Sequence, residues 1–376
     1  MNPIIKKIST LRKQLHQAPE ISGEEKLTSR KIKSYFETLS PDEIIEGLGG
    51  HGLAIVYNGD EEGPSTLFRA ELDALPITEN NAFSYISHNP GVAHSCGHDG
   101  HMAILCGIGL ILSKQRPKKG RVILLFQPAE ETGRGAKEVI ESPNYKKINP
   151  DYAFALHNLP GYALGEVVLK KGAFTAASKG MIINLKGKTS HAAHPEDAVS
   201  PANAVCLLIS ALQELPKQMS SFSLVTIIHA QLGEVAFGTT PGEAKVMATL
   251  RTFDNEIMTN LTDNACSIAD RIARDQGLKC SISFTEEFQV VENETKAGEV
   301  VNEAVDNLGL QKKNATEPFR WSEDFGVLSA TTRSYLFGLG SGVNHPQLHE
   351  NSYDFPDELL PIGIDIFRTI IQRLNH

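Results

Sequence analysis

Short apolar runs alternate with stretches of helical spacing through the first 160 residues, and this alternation limits the fold more than any other feature of the chain. Leu53–Tyr57 and Thr66–Arg69 are bounded by glycine or proline. Arg121–Phe126 (RVILLF) is largely apolar and ends at Gln127-Pro128, and Tyr152–Leu156 is a further run of the same kind. Their length and punctuation predict strands, and runs without polar alternation predict strands buried on both faces. Helical spacing predicts helices over residues 3–15, Ser22–Phe36, His101–Lys114 and Ala136–Glu141. Strands that alternate with helices imply a three-layer α/β domain. In such a domain, ligands bind outside the carboxyl ends of the strands.

The pattern changes near Ala177. Met181–Leu185, Pro201–Leu212, Leu224–Gln231, Glu243–Arg251, Asn255–Gln276 and Ser281–Glu286 read as strand, helix, strand, strand, helix, strand. That is the βαββαβ, ferredoxin-like unit, which can close on itself. After Glu292 the chain returns to helix, strand and helix, ending in Leu359–Leu374. The expectation is a discontinuous α/β domain, residues 1–177 and 292–376, interrupted by a smaller α+β domain at 178–291. A chain of 376 residues is long enough for two domains.

Charge narrows the choice of partners. The net charge is −9, from 45 acidic and 36 basic residues, with no basic block. Such a chain is poorly suited to nucleic acid or an anionic membrane surface. The longest apolar run, Ala103–Leu112, is too short to span a bilayer. Met1–Leu15 interleaves Lys and Arg with apolar residues and lacks the uninterrupted stretch of a signal peptide. Five cysteines in no regular spacing fit free thiols in a reducing compartment. The expected location is the cytoplasm.

Residues able to bind metal fall at the ends of the predicted elements. His94, His98 and His101 share the segment AHSCGHDGH. Cys96 and His98 are two residues apart across Gly97, so thiolate and imidazole can reach one ion or bridge two, with Asp99 placed to orient an imidazole. The same residues also fit a buried cysteine and a histidine at a helix start. Glu130 and Glu131 follow directly on RVILLF. Buried, they need partners, and an ion would supply one while the other carboxylate takes a proton from water. They also fit an acid-rich helix N-terminus. His157 closes YAFALH, and His349 sits in NHPQLHE. Four separate segments each presenting such a donor suit two divalent ions of the Zn²⁺ or Mn²⁺ kind.

The ordered stretches LRKQLHQAPEISGEE, FRAELDALPI, HSCGHDGHMA, FQPAEETGRGA, ALHNLP, KGKTSHAAHP, WSEDF and LHENSYDFPDELLPIG carry a resemblance that runs nearly end to end. The chain resembles the two-metal peptidase family of aminoacylase and carboxypeptidase G, and within it the hippurate-hydrolase-like amidohydrolases. The resemblance implies that Cys96, His98, Glu131, His157 and His349 hold two divalent ions (Zn, Mn, Co or Ni), with Cys96 bridging. It implies that Glu130 is the general base, that Asp73 supports the metal site, and that His191 is a lid histidine that holds the substrate or its oxyanion. It further implies a catalytic domain with an inserted lid that often forms a homodimer. Three departures stand out. Glu71 replaces an Asp in FRAELDALPI. Phe237–Pro241 replaces a segment that carries a substrate-contacting Asn. Thr189-Ser190 replaces two glycines before His191. His194 and His345 match no family position, and Arg251 is a weaker candidate for a substrate carboxylate.

The expected activity is hydrolysis of the amide bond of small N-acyl amino acids. A dipeptidase or aminopeptidase of the same family is the alternative within the class. Outside it stand a non-catalytic metal-binding relative, against which the intact Glu130 argues, and a hydrolase that uses Cys96 as nucleophile, whose activity would survive a chelator.

Overall fold

A computed structural model of the protein describes residues 3–376. In chain order the elements are α1 (Pro3–His16), α2 (Lys26–Glu37), β1 (Glu43–Leu48), β2 (Gly52–Asn58), β3 (Glu61–Glu71), α3 (His98–Leu112), β4 (Lys119–Gln127), α4 (Gly135–Glu141), β5 (Tyr152–Pro160), β6 (Val167–Leu169) and β7 (Gly172–Ala173). There follow β8 (Ala177–Lys186), α5 (Ala202–Glu214), β9 (Ser223–Leu232), β10 (Glu243–Thr252), α6 (Asn255–Asp275) and β11 (Lys279–Phe288). The chain closes with β12 (Glu292–Asn293), α7 (Thr295–Asn307), β13 (Lys312–Asn314), α8 (Gly326–Ser329), β14 (Arg333–Gly342) and α9 (Leu359–Asn375). It divides into two compact units.

The first unit reaches to Phe174 and takes in Val291–Pro318 and Glu323–His376. Its sheet has eight strands in the order β1-β2-β4-β3-β5-β14-β6-β13. The central four, β4, β3, β5 and β14, run parallel. Alternate residues explain why these strands are apolar throughout. Leu53, Ile55, Phe68, Leu124, Phe126 and Phe154 face one core, with α1, α3, α7 and α9. The intervening Ala54, Val56, Leu67, Ile123, Leu125 and Ala155 are buried on the other face. Burial on both faces is what a parallel sheet requires, and the chain alternation read from sequence has become a layered α/β unit.

Two helix starts differ from the sequence reading, both for a backbone reason. The second helix begins at Lys26 instead of Ser22, because Gly23 has φ +85° and the loop between α1 and α2 is bridged, Ile21 to Ala74, to the segment just past β3. The third begins at His98 instead of His101. Gly97 turns the chain with φ +89°, and a Cβ there would lie 2.6 Å from Asn158 Oδ1. Glycine alone satisfies both demands.

The second unit is Thr175–Val290 with Phe319–Ser322. Its four strands lie in the order β11-β8-β10-β9, all antiparallel. This is the βαββαβ arrangement, with α5 and α6 on one face. Met258, Leu261, Ala265, Ala269 and Ile272 recur at helical spacing along α6 and are buried. Asp254 starts that helix, its carboxylate accepting the N–H groups of Glu256 and Ile257 at 2.7 and 2.9 Å. Residues 319–322, which sequence reading placed in the larger domain, sit here because the carbonyls of Phe319 and Trp321 accept the Ala176 N–H and Arg251 donates to the Arg320 carbonyl. That bond, together with one to Ser322, occupies the Arg251 Nη1.

Candidate metal centre

The four parallel strands of the first unit end on one cluster of polar side chains. Asp73 lies just past β3, Glu130 and Glu131 just past β4, His157 near the end of β5, and His349 beyond β14. Cys96 and His98 enter through the Gly97 turn at the start of α3. Cys96, His98, His157, Asp73 and Glu130 are buried. Glu131 is nearly so, and the His349 side chain is half exposed.

Several groups of donor atoms lie within 4.8 Å of one another, among them Cys96, His98 and His157; Cys96, Glu131 and His349; His98, Glu130 and Glu131; and Glu71, His98 and His101. Cys96 is common to the first two. Its Sγ is 3.6 Å from His157 Nε2. His98 Nε2 is 3.9 Å from Glu131 Oε1, and His349 Nε2 is 3.6 Å from Glu131 Oε2. Two donors bonded to one ion at about 2.0–2.3 Å, at a tetrahedral angle, lie about 3.3–3.8 Å apart. The Cys96–His157 and His349–Glu131 distances fall in that range, and the His98–Glu131 distance lies just beyond it.

The hydrogen bonds leave the right atoms for one. His98 Nδ1 bonds the Asp73 carbonyl at 2.9 Å, and His157 Nδ1 bonds the Asn158 carbonyl at 2.9 Å. A ring nitrogen facing a carbonyl carries its proton, so Nε2 in each ring presents a lone pair to the cluster. His98 Nε2, Glu131 Oε1 and Asp73 Oδ1 are buried and have no hydrogen-bond partner. Buried polar atoms are rarely left so, and a bound ion would satisfy His98 Nε2 and Glu131 Oε1, which belong to the donor groups.

The electrostatics agree. Burial pushes the Glu130 and Glu131 carboxyls well above their ordinary range, and neighbouring carboxylates, Glu323 beside the first and Asp73 beside the second, push further. Burial, with Glu131 next, raises the Cys96 thiol in the same way. Burial holds His157 down, to about 4, as the neutral ring that a metal ligand must be. So much confined negative charge and lone-pair density calls for a divalent cation, whose own charge would reverse these shifts.

Arg69 is the buried counter-charge. Its Nη1 and Nη2 hold Glu323 at 3.2 and 2.9 Å, Nη2 holds Asp324 at 2.7 Å, and Nη1 also bonds Glu71. Nε donates to Gln127 at 3.0 Å. Burial opposes ionisation of Glu71, but Arg69 and then His101 hold it well below the usual carboxylate range. Glu71 Oε2 accepts from His101 Nδ1 at 2.7 Å, and His101 Nε2 meets Asn158 Oδ1 at 2.5 Å. Asn158 Nδ2 donates to the Cys96 carbonyl at 3.0 Å. The longer Glu71 thus joins a relay that ends on the backbone of Cys96. Sequence reading missed Arg69, His101, Asn158 and Glu323 in this role. The available signal was an arginine and a glutamate inside the otherwise apolar run TLFRAE.

Asp73 Oδ2 accepts the Glu131 N–H at 3.0 Å and the Ser22 hydroxyl at 2.7 Å. Asp99 does not orient a histidine of this cluster. The helix turns it toward α1, where its Oδ2 pairs with Arg12 at 3.0 Å and His16 at 2.9 Å. Ala129 and His349 have φ of +52° and +67°. Left-handed non-glycine residues of this kind gather at functional sites.

His191 lies in the second unit and is exposed. Its Nδ1 accepts the Ala193 N–H at 3.1 Å, which places the ring proton on Nε2. Phe237–Pro241 pairs with the His191 loop: Gly238 O accepts from Ala192, and Thr240 N–H donates to Ser190 O. His194 is 3.5 Å from Glu196, and His345 Nε2 bonds the Asp354 carbonyl at 2.7 Å.

A parallel sheet ending on Cys, His and Glu donors, with a separate βαββαβ unit, has the build of a metallohydrolase. The profile of peptidase family M20/M25/M40 matches residues 67–373, and the chain belongs to that family. It is 30% identical over 365 residues to an N-acetyldiaminopimelate deacetylase of Priestia megaterium, spanning 93% of this chain and 95% of the relative. It is 32% identical to a hippurate hydrolase of Campylobacter jejuni, spanning 93% and 92%. The crystal structure of the Bacillus subtilis YXEP protein, a dinuclear metal binding peptidase of the M20 family, superposes with TM-score 0.84 and 27% identity, over 100% of this chain and 99% of that one. The family resemblance read from the sequence is borne out. Among the described residues no helix is long and apolar enough to cross a membrane.

Proposed function

We infer that this chain is a metal-dependent amidohydrolase that splits small N-acyl amino acids into a carboxylic acid and an amino acid. The observation that carries the reading is the pair of donor clusters sharing Cys96, with Glu130 beside them. The names of its relatives, deacetylases of N-acetyl amino acids and a hippurate hydrolase, support the substrate class.

Cys96, His98, Glu131, His157 and His349 would hold two divalent ions. Sulfur, imidazole and carboxylate donors together favour Zn²⁺, Mn²⁺, Co²⁺ or Ni²⁺ over Mg²⁺ or Ca²⁺. Bound there, such ions supply Lewis acidity, lowering the pKa of water and polarising a carbonyl. Glu130 is the proton carrier. It takes a proton from the attacking water as the C–O bond forms, and delivers it to the amine nitrogen as the C–N bond breaks. The Asp324 N–H, 3.4 Å from Glu130 Oε1, helps hold the carboxylate. Asp73 fixes His98 through its carbonyl and the Glu131 backbone through its carboxylate. His191, with its proton on Nε2, is in the form that a hydrogen bond to a developing oxyanion requires.

Two finer points belong to the same reading. A cytoplasmic location fits the free cysteines. A homodimer through the second unit fits its exposed edge, where Ile228 and Leu232 on β9, and Val235 and Phe237 beyond it, lie open.

The test is hydrolysis of N-acetyl and N-benzoyl amino acids beside dipeptides, with protein metal-loaded and then chelated. Turnover of acyl amino acids that stops on chelation and returns with metal is the expected result. Turnover confined to dipeptides would make the chain a peptidase. Turnover that survives chelation would favour Cys96 as nucleophile.

A further inference from the structure

Glu25 is a fully buried acid at the start of α2, outside the donor cluster. Its Oε1 accepts two backbone N–H groups, Gly23 and Ala129, each at 2.8 Å. Ala129 is the residue before Glu130, and its φ is +52°. Alanine disfavours that region because its Cβ crowds the backbone, so something must hold it there.

The segment leaving β4 is held at two points. Glu25 takes the N–H of Ala129, and Asp73 takes the N–H of Glu131. Glu130 lies between them. Glu25 itself is anchored by the loop before it: Glu20 O accepts the Ala74 N–H at 2.8 Å, and the Ser22 hydroxyl donates to Asp73. Relaxation of Ala129 to an ordinary φ near −60° is a rotation of about 110°. Every atom beyond its N–Cα bond, including both carboxylates, would swing with it.

We propose that Glu25 is a positioning residue: by accepting the Ala129 N–H it locks the left-handed turn that aims Glu130 and Glu131. The proposal rests on the roles given to those two glutamates above. The work assigned to Glu25 needs an acceptor at the right reach and no negative charge. Glutamine supplies the acceptor at the same reach. Aspartate keeps the charge but falls one methylene short.

Three variants of the full chain test this: Glu25→Gln, Glu25→Asp and Ala129→Val, the last resisting a positive φ without touching a carboxylate. Two readouts are taken, steady-state kinetics on the best N-acyl substrate and Co²⁺ affinity of the metal-free protein from its thiolate absorption band. Glu25→Asp and Ala129→Val are expected to lower kcat about 10–100-fold with KM little changed, and to weaken Co²⁺ binding about tenfold, the usual cost of losing support behind a metal site. Glu25→Gln should recover both to within about threefold. Wild-type kcat and Co²⁺ affinity in Glu25→Asp overturn the proposal, as does a Glu25→Gln variant as impaired as Glu25→Asp. If Glu25→Asp does not fold, Ala129→Val decides alone, wild-type values again overturning it. Glu130→Gln run in parallel separates the two readings. Should it keep full turnover, the role of Glu130 fails, while the Co²⁺ affinities still decide whether Glu25 sets Glu131.

Discussion

Replacing Arg69 by methionine removes the counter-charge from a fully buried cluster while keeping much of the side-chain volume. The guanidinium bonds Glu71, Glu323 and Asp324, all buried, and Gln127. Removing one partner of a buried ion pair costs about 3–5 kcal/mol, because the other charge stays desolvated. For a unit of about 250 residues, each kcal/mol shifts Tm by about 2 °C, so the expected fall is about 6–10 °C at pH 8. The deficit must also depend on pH. In the wild type, Arg69 opposes burial and holds Glu71 and Glu323 below their ordinary values. Their stabilisation is present above the unfolded carboxylate pKa of about 4.3 and is lost as pH falls through the folded value. In the variant burial wins, their folded pKa values rise above the unfolded ones, and protonation relieves the strain as pH falls. Scanning calorimetry of metal-free protein should therefore show the gap between the two proteins narrowing from pH 8 to pH 5. A fall under about 2 °C at pH 8, or a gap that widens toward pH 5, would refute the reasoning.

Two further perturbations have defined outcomes. Asp99 and Glu79 oppose burial and raise His16 to about 9, so its stabilisation is full below about 6.5 and disappears as pH rises through about 9. His16→Gln should remove that slope, worth up to about 3 kcal/mol, from a plot of Tm against pH between 6 and 10; an unchanged slope would contradict the assignment. Cys96→Ser takes a soft donor from both clusters at once, so retention of ions in dialysis should fall at least about tenfold for each; loss of one ion with the other held at wild-type affinity would show that Cys96 does not bridge.

The layered architecture was legible because strand burial writes itself into local composition. RVILLF became the core of β4, and the spacing of Met258, Leu261, Ala265 and Ala269 gave α6 almost to the residue. Polar strand ends were not legible. β3 begins at Glu61, where a polar stretch pairs only with the edge of β4, and β1 (EIIEGL) has too few apolar residues to stand out. Among the proposed donors, Cys96, His98, Glu131 and His157 stood out because their segments lie close to apolar runs, whereas His349, in the polar segment NHPQLHE, was indicated by the family resemblance alone. What surrounds them could not. Arg69 reaches Glu323 across 254 residues of chain, and no local pattern announces a pairing of that separation. Asp99 shows the limit from the other side. Adjacent to a candidate ligand in sequence, it points to Arg12 and His16 because a helix sends neighbouring side chains in different directions. Glu25 was invisible for a similar reason: its partner is a backbone amide whose strain exists only in the folded chain.

Glu130→Gln, measured against the wild type for bound metal and for turnover of an N-acyl amino acid, tests the central claim most directly. The substitution preserves the shape of the side chain and leaves Cys96, His98, Glu131, His157 and His349 untouched. The account predicts two ions per chain in both proteins, and turnover lower by about 10²–10⁴ in the variant, the range for loss of a general base. A Glu130→Gln protein that carries two ions and turns over as fast as the wild type would contradict it.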